Sequence, residues 1–179
     1  MTKTRIRLAD HQDIEQLIEL EEQSFAFDRI SRRSWRALSE SASAIVLVAE
    51  AGAMVVGSAV ILMRKRSQIA RLYSIAVKSG CQRSGIGHLL TNEVSRAATA
   101  HGCTEVRLES RIDNVRAHAL FRALGYTPFG APIPDYYADG ASAIRFRKQL
   151  RPGISSRVVP EKADNSKIRS LDSNQAPPG

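Results

Sequence analysis

A short glycine-containing segment between a strand and a helix is the part of the sequence best suited to chemistry. Residues 75–88 read Ile-Ala-Val-Lys-Ser-Gly-Cys-Gln-Arg-Ser-Gly-Ile-Gly-His. Glycines let a backbone approach a ligand closely, and the free N–H groups and dipole of a helix N-terminus favour an anion such as phosphate. The Lys-Ser or Lys-Thr of a nucleotide P-loop does not follow Gly85, and the third glycine of a dinucleotide site is missing. The segment is therefore either an anion site or a tight turn.

A glutamate on a later strand is a second candidate for chemistry. Residues 104–110 alternate between apolar and polar types, which places Glu109 on the face opposite Leu108. By residue type alone, a charged side chain on the outer face of a strand forms a salt bridge, here with Arg107 or Arg111.

The remaining polar candidates have structural interpretations. Asn114 precedes a helical pattern, and asparagine is a favoured N-cap residue. Cys81 and Cys103 are too few for a disulfide framework, which favours a reducing, cytoplasmic location. The four histidines lack metal-ligand spacing with one another or with the cysteines, so no metal site is expected.

Strands and helices alternate along the first 150 residues, which predicts an α/β (α+β) fold with one mixed central sheet between helices. The patterns predict strands at residues 5–8, 70–77, 104–110, 126–129 and 141–147, a hairpin within 45–63, and helices after Asp10, from Ser31, over 85–100 and from Asn114 to Gly125. These elements place the glycine segment at a strand-to-helix turn and Glu109 within a strand.

The composition fits a soluble globular chain, with 43% hydrophobic and 25% charged residues among 179. The formal net charge of +8 favours anionic partners. Residues 45–63 have the length of a membrane span, but their β-branched runs flank the turn-like Glu50-Ala51-Gly52, so we expect a hairpin and no membrane segment. No apolar signal core follows the first five residues.

Residues 1–150 are expected to form one domain, and residues 151–179 a flexible C-terminal tail. The tail contains four prolines and only scattered apolar residues. Such a segment cannot bury enough surface to offset its ordering entropy.

Three motifs, in order and at matching spacing, resemble the GNAT superfamily of N-acetyltransferases. They are Gln82-x-x-Gly85-x-Gly87 after the strand Ile75-Ala76-Val77, residues 108–126, and residues 136–143, which begin Tyr-Tyr-Ala-Asp-Gly. The last looks like the tyrosine-bearing hairpin of protein N-terminal acetyltransferases, and the bacterial ribosomal-protein-alanine branch is the most similar. The resemblance is strong over residues 70–150, looser before them, and does not extend to the tail.

The resemblance implies that acetyl-CoA is the co-substrate and that its acetyl group passes directly to an amine without an acyl-enzyme. Its pantetheine arm would lie along the first strand of the motif and its pyrophosphate on the N–H groups that follow. The implied cofactor-binding residues are Ile75, Ala76, Val77, Gln82, Arg83, Ser84, Gly85, Ile86, Gly87, His88 and Asn114.

The resemblance also places Glu109 where the related enzymes have a general base, which an amine nucleophile needs. A strand N–H near Val77 would stabilise the developing oxyanion. The family usually has a tyrosine at the position of Phe121, as the acid that protonates the thiolate, and phenylalanine cannot donate a proton. Candidate replacements are Tyr126, Tyr136 and Tyr137.

Aromatic residues are the candidates for binding the acceptor. By resemblance, Tyr136 and Tyr137 would line the acceptor groove, together with Phe25 and Trp35. The alternatives are that the tyrosine pair packs on the sheet and that Phe25 and Trp35 anchor the core.

The sequence predicts a cytoplasmic acetyltransferase whose acceptor is a protein N-terminal α-amino group. Acetylation of a small amine or a lysine, and acyl-CoA binding with little catalysis, are the alternatives, the latter because of Phe121. Nucleic-acid binding is disfavoured because no interleaving of basic and aromatic residues is evident. The oligomeric state, monomer or homodimer, stays open.

Overall fold

A seven-stranded mixed sheet organises residues 3–152, the part of the chain that the computed structural model describes. The strands are β1 (Thr4–Leu8), β2 (Ala44–Ala51), β3 (Met54–Met63), β4 (Ile69–Val77), β5 (Glu105–Arg111), β6 (Thr127–Pro128) and β7 (Ala143–Gln149). The helices are α1 (Ile14–Ser24), α2 (Arg32–Glu40), α3 (Ile86–Ala100) and α4 (Val115–Ala123), with short 3-10 turns at His11–Asp13 and Ser79–Cys81. The predicted fold class is confirmed.

The sheet opens between β4 and β5, its only parallel neighbours within the described residues. The strand order is β1-β2-β3-β4-β5-β7-β6. Three residue pairs join β4 and β5: the first is Ile69 with Glu105 and the last is Arg71 with Arg107. No further pair joins these two described strands. Tyr73 is an unpaired bulge in β4 opposite β3, and a bulge bends the strand that carries it. The second half of β4 therefore leaves β5 and keeps one backbone edge free.

Each face of the sheet has its own core. On one face, Leu90 and Val94 of α3 and Phe121 of α4 pack against the central strands. On the other face, Leu17 of α1 and Trp35 of α2 are fully buried. Trp35 therefore anchors the core, the structural alternative considered for it.

Several predicted elements are confirmed with small shifts. The apolar stretch within residues 45–63 is the β2–β3 hairpin, and its turn begins at Gly52, two residues later than Glu50-Ala51-Gly52 suggested. No helix among the described residues is long and apolar enough to cross a membrane. Only the first two residues of the predicted tail are described, and the rest lies outside the described residues.

The end of the domain differs most from prediction. A strand was expected over residues 126–129, but β6 contains only Thr127 and Pro128. Proline has no N–H to donate to a ladder, and Tyr126 turns inward and is 1% exposed, so regular pairing is brief. β7 begins at Ala143 rather than at residue 141.

Candidate active site

The glycine segment forms an exposed turn whose N–H groups are free for a ligand. Arg83 and Gly85 both have left-handed backbones, with φ of 65° and 82°. Gly85 is the N-cap of α3, and the first bond of the helix runs from the Leu89 N–H to the Gly85 carbonyl at 3.0 Å. The N–H groups of residues 86–88 therefore have no partner within the helix, which makes a concave site for an anion.

Two side chains brace this turn. The Ser84 hydroxyl donates to the Cys81 carbonyl, and the Gln82 side-chain amide lies 3.5 Å from the Val77 carbonyl at the end of β4. Gln82, Arg83, Ser84 and His88 are exposed, whereas Ile86 is buried and anchors the first turn of α3 in the core. The sequence left an anion site and a tight turn as alternatives, and the segment is a turn whose exposed N–H groups at the start of α3 are available to an anion.

A cleft begins beside this turn, between the separated halves of β4 and β5, with α4 along one side. Its lining includes Ile75, Ala76 and Val77 from β4, Glu109 from β5, Gly87 from α3, and Asn114 and Phe121 around α4. Asn114 caps α4, because its side-chain oxygen accepts from the Ala117 N–H at 3.1 Å. The cleft thus gathers five of the eleven predicted cofactor-binding residues together with the predicted base, and the other six lie in the adjoining turn and first turn of α3.

The carboxylate of Glu109 is held by an arginine on the neighbouring strand. Arg71 Nε donates to Glu109 Oε2 at 3.0 Å, and Arg71 Nη2 donates to the Tyr136 hydroxyl at 2.8 Å. The Glu109 and Arg71 side chains are 16% and 30% exposed. Burial, with a smaller contribution from the charge of Glu109, raises the pKa of Tyr136 to about 12, so its hydroxyl stays protonated at neutral pH.

The salt bridge anticipated for Glu109 exists, but with a different partner. Arg107 pairs with Glu105, and Arg111 pairs with Asp139 and Asp113. Both guanidiniums therefore pair with other acids, and Arg71 is the arginine that forms the salt bridge with Glu109. Sequence patterns give no signal for this contact, because it depends on the register of two parallel strands.

Tyr137 lines a second cavity next to this network. Its ring meets that of Tyr136 edge to face at 5.1 Å, and the Arg111 guanidinium lies 5.1 Å from its centroid. The cavity has a volume of about 280 Å³ and is also lined by Phe25, Phe27, Asp28 and Asp139. An apolar cavity of about 150 Å³ admits benzene, so this one has room for a side chain.

The loop after α1 and the loop before β7 meet at this cavity. The Ala138 N–H donates to Asp28 Oδ2 at 3.1 Å, which ties the two loops together. The Tyr137 hydroxyl is buried and has no hydrogen-bond partner among the described residues. Burial also raises the pKa of this hydroxyl above its ordinary value. Phe25 is 9% exposed, so it serves both as a core residue and as part of the cavity wall.

The tyrosines suggested as replacements for the missing acid do not line the cleft. Phe121 is 3% exposed and forms part of the cleft wall. The ring of Tyr126 lies behind it in the core, with the two ring centroids 5.7 Å apart. Burial raises the pKa of Tyr126 above its ordinary value. Tyr137 lies at the second cavity rather than in the cleft.

Two serines that sequence reasoning did not single out do line the cleft. The hydroxyls of Ser74 and Ser110 are buried and have no hydrogen-bond partner among the described residues. Ser110 alternates with Glu109 along β5, so it faces the same side of the sheet as Leu108 and Phe121. Serine in a strand is common, and nothing in the sequence distinguished this one.

The cleft fits the acetyl-CoA that the sequence resemblance implied. An unpaired strand edge suits the amide groups of a pantetheine arm, and the turn of residues 82–88 suits a pyrophosphate. Within residues 3–152, no three His, Cys, Asp or Glu side chains are grouped as metal ligands would be.

Comparison with known proteins establishes the family. Residues 11–126 match the acetyltransferase (GNAT) family, which is more than half of the chain. The protein therefore belongs to the GNAT family of acetyltransferases and is an acyltransferase.

Two curated relatives are similar over about half of the chain. Human N-alpha-acetyltransferase 30 is 36% identical over 89 residues, which are 50% of this chain and 24% of the human protein. Aminoglycoside N(6')-acetyltransferase type 1 from Stenotrophomonas maltophilia is 30% identical over 98 residues, 51% of this chain and 64% of that protein. The match thus spans less than two thirds of either relative.

Solved structures share the fold more completely. The ribosomal-protein-S18-alanine N-acetyltransferase from Escherichia coli superposes with a TM-score of 0.74 at 21% identity, over 87% of this chain and all of that one. The Salmonella typhimurium protein yncA, solved with acetyl-CoA, superposes with a TM-score of 0.73 at 20% identity, over 88% of this chain and all of that one. At these identities the likeness concerns the fold.

Proposed function

We propose that this GNAT enzyme transfers the acetyl group of acetyl-CoA to the α-amino group at a protein N-terminus. The observation that carries the proposal is the position of Glu109, a largely buried carboxylate that lines the cleft and is joined through Arg71 to Tyr136. Tyr137 continues this network into a cavity with room for an acceptor side chain. The similarity to an N-alpha-acetyltransferase supports the same acceptor class.

Glu109 acts as the general base. An amine reaches the protein as an ammonium ion and must lose a proton before it can attack a carbonyl carbon. Arg71 holds Oε2, and among the described residues no hydrogen bond engages Oε1, which leaves that oxygen for the amine proton. The negative charge of Glu109 also attracts the ammonium form of the acceptor.

The free edge of β4 and a serine complete the chemistry. When bound, acetyl-CoA supplies the acetyl thioester. Backbone N–H groups on β4 near Val77 donate to the thioester oxygen as negative charge develops on it. The Ser110 hydroxyl has no hydrogen-bond partner in the described residues, and it donates a hydrogen bond to the departing sulfur. A water molecule then protonates the CoA thiolate.

The test is amine-dependent release of CoA from acetyl-CoA with a panel of N-terminal peptides and small amines. We expect turnover on peptides, and a fall of about 10²–10⁴-fold in kcat for Glu109→Gln. Glu93→Gln is the matched control, since Glu93 lies on α3 and pairs with Arg96 at the surface. Turnover unaffected by Glu109→Gln would overturn the base assignment.

Two observations favour other functions. Similarity to an aminoglycoside acetyltransferase favours a small-amine acceptor, and turnover of small amines alone would establish that function. Phe121, in place of the usual tyrosine, favours a module that binds acyl-CoA with little catalysis. Tight acetyl-CoA binding without release by any peptide or amine would support that alternative.

A further inference from the structure

We infer that the open face of β5 and β7 binds an acidic segment of the acceptor polypeptide, a few residues after its N-terminus. This inference rests on the proposed function, because it specifies which acceptors that site prefers. This surface, the arginine face, is formed by Arg107, Arg145 and Arg147 around the ring of Phe129.

Three guanidinium groups converge on one aromatic ring. The guanidinium carbons of Arg107, Arg145 and Arg147 lie 5.3, 5.0 and 5.2 Å from the centroid of Phe129. A cation over an aromatic face gains energy from the ring, and a planar guanidinium stacked in this way keeps its edge donors free. The ring therefore gathers positive charge at one place on the surface.

The register of the sheet makes this arrangement unfavourable without a ligand. Arg107 and Arg147 are directly opposite each other in the β5–β7 pair, and like charges in opposed positions are destabilising. Glu105 neutralises Arg107. Among the described residues, no salt bridge is formed by Arg145 or Arg147. Glu105 also interacts electrostatically with Arg147, so one carboxylate serves two arginines and the face keeps an excess of positive charge. Like charges that are only partly neutralised indicate a functional surface.

Arg145 provides an independent observation. Its Nε is buried and has no hydrogen-bond partner among the described residues. Its guanidinium lies so close to Gly130 that a Cβ there would be 2.2 Å from Nη2, and Gly130 also has a left-handed φ of 67°. The arginine is therefore held in place by packing while one of its donors goes unused.

The arginine face is continuous with the proposed base. Arg145 is directly opposite Glu109 in the β5–β7 pair, and Arg147 is two residues farther along β7, about 7 Å away. An extended chain advances about 3.4 Å per residue. An acceptor with its amine at Glu109 would therefore reach the arginine face at about position three, and the residues after it would continue along that face.

The chemistry of the surroundings favours an acidic polypeptide over a nucleic acid. Binding of single-stranded nucleic acid relies on several stacking rings along a basic groove. Only Phe129 carries the cluster, and the adjacent rim contains the carboxylates of Glu109, Asp28 and Asp139. A long phosphate backbone would extend over these carboxylates, whereas a short acidic segment can contact Arg145 and Arg147, which form no salt bridge among the described residues. The chain's formal charge of +8 is in keeping with an anionic partner.

The experiment compares peptides that differ only in charge. Three peptides share one N-terminus and carry Asp and Glu, Asn and Gln, or Lys at positions three to five. We expect kcat/KM to be highest for the acidic peptide, with a loss of about two- to fivefold for each arginine removed. Raising the ionic strength to about 1 M, where the Debye length is about 3 Å, should abolish the preference.

Variants at Arg147, the exposed member of the arginine face, make the test specific. Arg147→Gln should lower the ratio of kcat/KM for acidic over neutral peptides, and Arg147→Glu should reverse it in favour of the lysine peptide. The matched control Arg96→Gln removes a surface arginine on α3 that pairs with Glu93 and should leave the ratio unchanged. Melting temperature and acetyl-CoA binding report that each variant is folded.

Binding of N-terminally blocked versions of the same peptides, measured by fluorescence anisotropy, separates this inference from the proposed function. Tighter binding of the acidic blocked peptide, lost in Arg147→Glu, supports the inference even if no peptide is acetylated. Equal kcat/KM and equal binding for all three peptides would overturn it. Stronger binding of an RNA oligonucleotide of equal charge at the same face would also overturn it.

Discussion

Arg71 and Glu109 are 38 positions apart in the chain, yet Arg71 Nε lies 3.0 Å from Glu109 Oε2. Arg71 and Arg107 are the last residues paired between β4 and β5, and Glu109 is the next residue on the same face of β5. The ion pair therefore joins the two strands just where their backbones separate. It also fixes the carboxylate at the mouth of the cleft that the separation creates.

Replacing Arg71 should affect activity and stability together. Arg71→Gln removes the ion pair with Glu109 and the bond to Tyr136, and a hydrogen bond to a charged group contributes about 1.5–3 kcal/mol. We expect kcat/KM on the best peptide to fall at least about tenfold, because a misplaced base is inefficient. The melting temperature should fall by about 3–10 °C, measured by circular dichroism.

Arg71→Lys keeps the charge but loses the forked geometry, so its activity should be intermediate. Arg5→Gln is the control, because Arg5 is 70% exposed and its ion pair with Glu50 is at the surface. If Arg71→Gln kept full activity, the positioning of Glu109 by Arg71 would be refuted.

Gly85→Ala should weaken acetyl-CoA binding. Gly85 has φ of 82°, and a side chain in the left-handed region costs about 1–2 kcal/mol, although a Cβ there meets no neighbour. The turn should relax away from this conformation and misalign its N–H groups. We expect the Kd for acetyl-CoA, measured by calorimetry, to rise about fivefold or more.

Gly102→Ala offers a matched control for this experiment. Gly102 also has a left-handed φ, 80°, and open space at its Cβ, but it follows α3 at the end away from the turn. The two variants should lose similar stability, and only Gly85→Ala should change acetyl-CoA affinity. Equal affinity in both variants would argue against the turn as the pyrophosphate site.

Stability should decrease as pH rises from about 5 to 8, because of Glu21. This side chain is 1% exposed, and burial raises the pKa of its carboxyl group to about 7, with the Ile30 N–H opposing the shift. The unfolded chain titrates near 4.5, so the folded state binds more protons between these values. Below pH 4.5 the neutral Glu21 side chain makes its full contribution to the free energy of unfolding. This contribution is lost as the pH rises through 7, and it amounts to about 3 kcal/mol.

Urea unfolding at a series of pH values between 5 and 8.5 measures this dependence. Glu21→Gln should remove the dependence of the unfolding free energy on pH. The new amide N–H₂ group has no hydrogen-bond acceptor at this position, so the variant should be less stable than the wild type at acidic pH. Glu19→Gln on the exposed face of α1 should retain the wild-type slope. A Glu21→Gln protein with an unchanged slope would assign the dependence to other groups.

Ser110→Ala should lower kcat with little change in acetyl-CoA affinity. The hydroxyl has no partner in the described residues, so its removal leaves no other group unpaired, and the structural cost is small. If Ser110 donates to the departing sulfur, we expect kcat to fall about tenfold in single-turnover measurements. Ser95→Ala on α3 is the control.

Phe121→Tyr tests the same step from the opposite direction. Phe121 lines the cleft, so an added hydroxyl is placed where the resembled family has its acid. In the Ser110→Ala background this change should restore part of the lost kcat. Failure of Phe121→Tyr to restore activity, in a folded protein that binds acetyl-CoA, would show that sulfur protonation does not limit the rate.

Local sequence signals predicted the elements that carry their own markers. Gly85, Asn114 and Gly125 mark the ends of α3 and α4, and alternation marks β5, so these elements were predicted closely. The turn of residues 82–88 was predicted from the same glycines. Such features depend on residues near one another in the chain.

Features set by tertiary contacts were not predictable in this way. The partner of Glu109 depends on the β4–β5 register, and the neighbours proposed from the sequence, Arg107 and Arg111, are engaged by other acids. Tyr126 is next to a strand in sequence but turns into the core behind Phe121. The arginine face likewise joins residues of three separate segments around Phe129, an interleaving of basic and aromatic groups that exists only in the folded chain.

The separation of β4 and β5 has a cost that reaches beyond catalysis. Unpaired strand edges are templates on which another chain can add, and proteins normally confine them to the outer margins of a sheet. Here two such edges lie in the interior, where β4 leaves β5 after Arg71. A molecule bound between β4 and β5 therefore also prevents another chain from pairing with these edges. Prolonged storage of the protein without such a ligand should promote intermolecular strand pairing and aggregation.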